Sequence, residues 1–196
     1  MDGLSSRVQQ WQSEGERAAI SAHRIFVRRA IGDGPLLVLL HGFPSSSFDW
    51  RDTLRALPGQ AALTLDFLGF GLSDKPRDVT YSLFTQADLV QALLSGHDGP
   101  VALAAHDMGT SVATELLARD HEGRLPFTLG AVLLFNGSMV LKLASLTWAQ
   151  RVLRSPAGPL VARLSNPRAS KRQVAQLFSP QHPLDAAELR TLLASL

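Results

Sequence analysis

The sequence predicts an α/β fold built on a mostly parallel sheet with flanking helices. Short apolar runs without polar alternation, such as Leu36-Leu37-Val38-Leu39-Leu40, are expected of strands covered on both faces. Between residues 36 and 135 such runs alternate with segments of helical spacing, in the order strand, helix, strand, helix, strand, helix, strand. Gly34-Pro35, Pro58-Gly59 and Gly99-Pro100 punctuate the series. That alternation calls for parallel strands joined by right-handed crossovers.

Taken in order, His23 to Arg29 is β-rich and is expected to pair antiparallel at the sheet edge, with Gly32-Asp33-Gly34 as a turn. Strand 36–40 follows, bounded by His41-Gly42. Phe48 to Leu57 has Trp50, Leu54 and Leu57 at helical spacing and stops at Pro58-Gly59. Residues 61–65 read as a second buried strand, ending at Asp66, and a Gly-rich loop runs from Gly69 to Pro76. Leu83 to Leu94 is a helix with Leu83, Ala87, Val90 and Leu94 on one face. Strand 101–105, a helix from Gly109 to Arg119 and strand 131–135 complete the series. After Gly137 strand-like runs stop. Residues 138–196 carry eight Lys and Arg against Asp185 and Glu188, and their helical patterns are broken by prolines. The expected division is therefore residues 1–137, the N-terminal part of the sheet core, and residues 138–196, a partial helical cap.

Composition narrows the function classes. Nineteen basic and seventeen acidic residues leave a formal charge of +2, too near neutral for a dedicated nucleic-acid binder. Apolar residues are 45% and charged residues 18%, as in a packed globule. The chain has no cysteine, which removes thiol nucleophiles and Cys-ligated metals. No apolar run approaches the ~18 residues of a membrane span, and Met1 to Arg17 shows no apolar signal core. A cytoplasmic location and no membrane partner are the expectations. There is no P-loop, G-x-G-x-x-G or zinc motif, so no cofactor and no metal are expected.

The most informative segment is Ala105-His106-Asp107-Met108-Gly109-Thr110, between a strand and a helix. A strand that bends sharply into a helix needs small residues around the apex, and Ala105, Gly109 and Thr110 supply them. The apex side chain then stands above the carboxyl ends of the strands, where open α/β sheets bind ligands. The pattern is G-x-S-x-G with Asp at the apex and Ala in place of the first Gly. An Asp before a helix also suits a simple N-cap. As a nucleophile, Asp107 favours saturated carbon. Its attack on an alkyl halide or a strained epoxide gives a stable alkyl ester, whereas attack on a carboxylic ester leads uphill to an anhydride. His41-Gly42-Phe43-Pro44 follows the first buried strand, where such enzymes place an oxyanion-hole amide. The donors here are the backbone N–H groups of Phe43 and Met108, with His41 fixing the loop from behind.

Together HGFPSSSFDW (41–50), LDFLGFGLSDKP (65–76) and AHDMGTSVATELL (105–117) resemble the α/β-hydrolase superfamily, within it the epoxide hydrolase and haloalkane dehalogenase branch. In detail the chain is most similar to the mesoderm-specific transcript group, through Trp11 to Gly15, the HGFP-S-S-S-x-D-W run and the DFLGFG-x-SDKP run. The resemblance spans about residues 11 to 140. It implies a covalent Asp nucleophile, an oxyanion hole and a small apolar organic substrate. Two departures stand out. Haloalkane dehalogenases hold the halide with side-chain N–H donors, which Phe43 and Met108 lack. Epoxide hydrolases use cap tyrosines, and the one tyrosine here, Tyr81, precedes the elbow.

In this superfamily the acid and the histidine follow the nucleophile. After Asp107 come only His121, in a polar helix end, and His182, in the cap segment, and Asn136 occupies a position some relatives give to the acid. The acid and base are expected beyond residue 196, making the chain a C-terminally truncated form or a degenerate gene product. Strand 131–135 is then expected to be a bare apolar edge, and an ester on Asp107 to accumulate.

Three functions stay open. One is hydrolysis of an epoxide or alkyl halide through Asp107. Another is a non-catalytic binding protein of the same fold. The third is an ester or acyl hydrolase. His106 is read as packing at the bend. Asp66, Asp74 and Lys75 are read as loop hydrogen bonding rather than a metal site. Trp148 and Phe178 are read as cap packing. The basic cap segment is read as a solvated helix face.

Overall fold

The structure is a computed structural model and describes residues 6–137, 151–152 and 155–156. The chain divides into two compact units, and residues 6–137 belong to the first. The expected cap, with Trp148, Phe178 and His182, lies outside the described residues except for 151–152 and 155–156.

A six-stranded sheet forms from β1 (Glu16–Ile20), β2 (His23–Ala30), β3 (Asp33–Leu40), β4 (Gln60–Leu65), β5 (Pro100–His106) and β6 (Thr128–Phe135), in the spatial order β1-β2-β4-β3-β5-β6. β3 pairs parallel with both β4 and β5, and β5 with β6. β1 and β2 are antiparallel additions on one side. The helices within residues 6–137 are α1 (Ser6–Ser13), α2 (Arg51–Ala56), α3 (Leu83–Leu94) and α4 (Met108–His121), with a 3-10 turn at Ser47–Trp50.

The apolar run in β3 is explained by its position. Val38 and Leu40 pack with Leu63, Leu65, Leu103 and Ala105 and with Val90, Leu94, Val112 and Leu116 of α3 and α4. Leu39 points to the opposite face, against Trp50 and Ala104, with Leu37, Leu54 and Phe135 around it. Both faces are covered at Val38, Leu39 and Leu40, which accounts for the unbroken apolar run there, whereas Asp33 to Pro35 at the start of the strand are exposed. α3 starts at Ser82, whose Oγ accepts the Thr85 N–H at 3.0 Å.

Several expectations need correction. β2 does pair antiparallel, but β1 rather than β2 is the edge strand. α1 and β1 are not among the elements the sequence predicts. Only Val8 and Trp11 of α1 are buried, too few to show a helical period. β3 begins at Asp33, so part of the expected turn is strand, with a register shift between Asp33 and Leu37. The expected helix 48–57 is a 3-10 turn followed by the short α2, and no residue of α2 is buried. On α3, Ala87, Val90 and Leu94 are buried with Leu89, whereas Leu83 is exposed in the first turn. β6 lies at the end of the sheet, and among the described residues nothing pairs with its outer edge; Leu133 is 61% exposed there.

Candidate active site

β5 gives way to α4 through one residue. Asp107 has φ 49° and ψ −115°, a conformation that costs a non-glycine residue about 1–3 kcal/mol. Surrounding packing holds the bend. Ala105 and Thr110 are buried. A Cβ on Gly109 would sit 2.6 Å from the Leu40 carbonyl oxygen and 2.8 Å from that of His41, so glycine lets α4 pack directly on the end of β3. The Asp107 carbonyl accepts from the Thr110 amide at 3.0 Å and the Thr110 hydroxyl at 2.6 Å. The Asp107 amide donates to the Phe135 carbonyl at 3.3 Å.

The Asp107 side chain makes no cap hydrogen bond to its own helix. Its Oδ1 instead accepts the Phe43 backbone N–H at 2.8 Å, across 64 positions of sequence. Gly42 makes that approach possible, because a Cβ there would lie 2.6 Å from Asp107 Cβ. Met108 opens α4, so its N–H belongs to the first turn, which has no intrahelical acceptors. The structure thus brings the Phe43 amide to the Asp107 carboxylate, and Met108 directly follows Asp107 in the chain. The Phe43 side chain is 62% exposed, and the Phe43–Pro44 peptide bond is cis.

His41 lies behind this loop, fully buried. The Phe67 N–H donates to its Nε2 at 3.0 Å, so the proton is on Nδ1, which donates to the Gly42 carbonyl at 2.8 Å. Burial lowers its pKa below the usual histidine value, opposed mainly by nearby Asp66. His41 is therefore a neutral strut between two loops. Asp66 is a second strut, accepting from Ser47 N–H and Leu72 N–H at 2.7 Å each. Asp74 accepts the Arg24 N–H at 2.8 Å, and Lys75 donates to the Gly71 carbonyl. These three residues hold the loop, and no metal-ligating cluster occurs among the described residues.

His106 packs its ring on Phe135, centroids 5.4 Å apart, and Phe135 meets Trp50 edge-on at 5.9 Å. His121 is exposed at the end of α4. Asp49 was not singled out by the sequence. It is half-buried, bonded to Ser45 and near His41, Arg51 and His106, and desolvation raises its pKa above the ordinary carboxylate value. The one sequence signal is a carboxylate between two aromatic residues, Phe48 and Trp50, that the fold buries.

The alpha/beta hydrolase family profile matches residues 37–196. The chain is 52% identical to a putative hydrolase, LipZ, of Mycobacterium tuberculosis, over 94% of this chain and 64% of that protein. It is 35% identical to the human mesoderm-specific transcript homolog protein, over 98% and 61% respectively. The haloalkane dehalogenase DbeA of Bradyrhizobium elkani superposes with a TM-score of 0.72 at 23% identity, covering 92% of this chain and 66% of that one. The chain spans a little under two thirds of the length of the two relatives. Among the described residues, no helix is long and apolar enough to cross a membrane.

Proposed function

The chain belongs to the alpha/beta hydrolase family, and from that premise we propose that it is hydrolase machinery in which Asp107 is the covalent nucleophile toward a small apolar epoxide or alkyl halide. One observation carries this reading. The Asp107 carboxylate stands at a strained one-residue bend and is bound by the amide of a different loop, Phe43, rather than capping its own helix.

The geometry divides the work between the two carboxylate oxygens. Oδ1 is held by the Phe43 N–H, with the Met108 N–H at the start of α4 as the second donor. Oδ2 attacks the saturated carbon, forming the C–O bond as the carbon–halogen or epoxide C–O bond breaks. Halide leaves, or the ring oxygen takes a proton from solvent water, and Asp107 becomes an alkyl ester. When water attacks that ester, negative charge develops on the carbonyl oxygen, which the Phe43 amide already binds and which the Met108 amide receives as second donor in this proposal. Hydrolysis restores the carboxylate and releases alcohol or diol. His41 acts as a positioning residue through Gly42 and makes no contact with the reacting atoms. The proposal includes no cofactor and a cytoplasmic setting.

Asp107→Asn tests the reading against ester hydrolysis. If Asp107 is the nucleophile, covalent capture of an epoxide or alkyl bromide disappears in this variant. Turnover of a p-nitrophenyl ester that survives Asp107→Asn unchanged, with no epoxide or bromide captured by the parent chain, supports the acyl-hydrolase reading instead.

A further inference from the structure

A cavity of about 300 Å³ lies among α1, β2, the 3-10 turn and α2, built from residues 7 to 55 and sharing no residue with the Asp107 site. Arg7, Arg28, Arg51 and Arg55 line it together with Trp11 and Phe48. The Arg28 guanidinium lies 4.1 Å above the Trp11 ring centroid, and that of Arg51 lies 4.7 Å from the centroid of Phe48. The two rings meet edge-to-face at 5.7 Å, and the Trp11 indole N–H donates to Ser47 Oγ at 3.2 Å. The aromatic pair is thus a fixed base on which two guanidiniums are stacked. A stacked guanidinium keeps its donors in the plane of its edge, the arrangement that binds oxyanions in bidentate fashion.

The four arginines face three carboxylates, an excess of one positive charge. Glu14 is the one carboxylate among the lining residues, and it pairs with Arg28. Asp52, alongside, pairs with Arg51 at 3.2 Å and Arg55 at 3.0 Å, and half-buried Asp49 is also near Arg51. Burial lowers the Arg28 pKa, Glu14 opposes this, and the positive charge of Arg55 lowers it further. Arg7 and Arg55 are the exposed members. A volume at the lower end of small-molecule sites suits one charged group with a short organic tail.

We propose that this cavity binds a phosphate monoester, its dianionic oxygens received by the edges of the stacked Arg28 and Arg51 and by Arg7 and Arg55. The same phosphate chemistry is offered by a soluble metabolite and by a lipid headgroup.

The test is calorimetric titration of the 196-residue chain with glycerol 3-phosphate at low salt, with glycerol as the uncharged control. Saturable binding of the phosphate alone is expected. Arg7→Gln with Arg55→Gln changes only exposed side chains and is expected to weaken binding about tenfold or more, as lost charge-assisted hydrogen bonds do. Arg28→Lys keeps the charge but loses the planar fork and is also expected to weaken it. An unchanged circular dichroism spectrum confirms that the variants fold. Co-sedimentation with vesicles containing phosphatidic acid, reversed by glycerol 3-phosphate, assigns the lipid source; titration without co-sedimentation assigns the soluble one. Binding to neither probe, or binding unaffected by the double substitution, overturns the proposal.

Discussion

Gly109→Ala sets two effects of opposite sign against each other. Gly109 lies in the first turn of α4, and helix propensity alone favours alanine by up to about 1 kcal/mol. The added Cβ would stand 2.6 Å from the Leu40 carbonyl oxygen and 2.8 Å from the His41 carbonyl oxygen. The first distance falls short of ordinary contact by about 0.8 Å. Those carbonyls cannot retreat cheaply, because β3 is hydrogen-bonded to β4 on one side and β5 on the other. α4 must lift instead, carrying Asp107 away from the Phe43 amide. Overpacking of this kind costs about 1–3 kcal/mol, and loss of a hydrogen bond to a carboxylate adds about 1.5–3 kcal/mol. The steric and hydrogen-bond losses outweigh propensity. The expected net loss is at least about 1–2 kcal/mol, or roughly 2–8 °C in Tm for a domain of this size. Thermal unfolding followed by circular dichroism measures it. A Tm equal to or above that of the parent chain would refute the claim that the helix start is packed against the β3 carbonyls.

Two further predictions follow from burial. His41 has a lowered folded pKa, so its contribution to stability is fully present above the unfolded value of about 6.5 and is lost as pH falls through the folded value. Urea midpoints should therefore drop between pH 7 and pH 5, and His41→Asn should lower stability at pH 7 while flattening that drop; parallel curves would contradict the neutral-strut role. Leu103 is 1% exposed in the central core and Leu133 is 61% exposed on β6. Leu103→Ala should cost about 2–5 kcal/mol and Leu133→Ala under about 0.5 kcal/mol, and equal urea-midpoint shifts for the pair would show the core to be wrongly placed.

What the sequence made legible is local. The parallel strands show themselves because two-sided burial leaves apolar runs, and the bend at Asp107 shows itself because its small neighbours are adjacent in the chain. The joining of Asp107 to Phe43 was legible only through family resemblance, since 64 residues separate them. α1 was hidden because only Val8 and Trp11 of its eight residues are buried. The W-x-x-x-G segment gains its physical meaning only in three dimensions. Trp11 packs on Phe48, and Gly15 lets the chain cross Phe26, whose ring a Cβ would meet at 2.4 Å. The arginine cavity left no sequence signal because its residues come from three separate stretches of the chain. Asp49 is signalled only by its aromatic neighbours Phe48 and Trp50, which do not tell which face of the turn the carboxylate takes.

The most direct measurement is peptide-resolved mass spectrometry of the chain after incubation with a small epoxide. The account predicts a mass increase equal to the whole epoxide, on the peptide containing Asp107, removed by hydroxylamine and absent from Asp107→Asn. Modification of other carboxylates with Asp107 untouched, or equal labelling of the Asn variant, would contradict it.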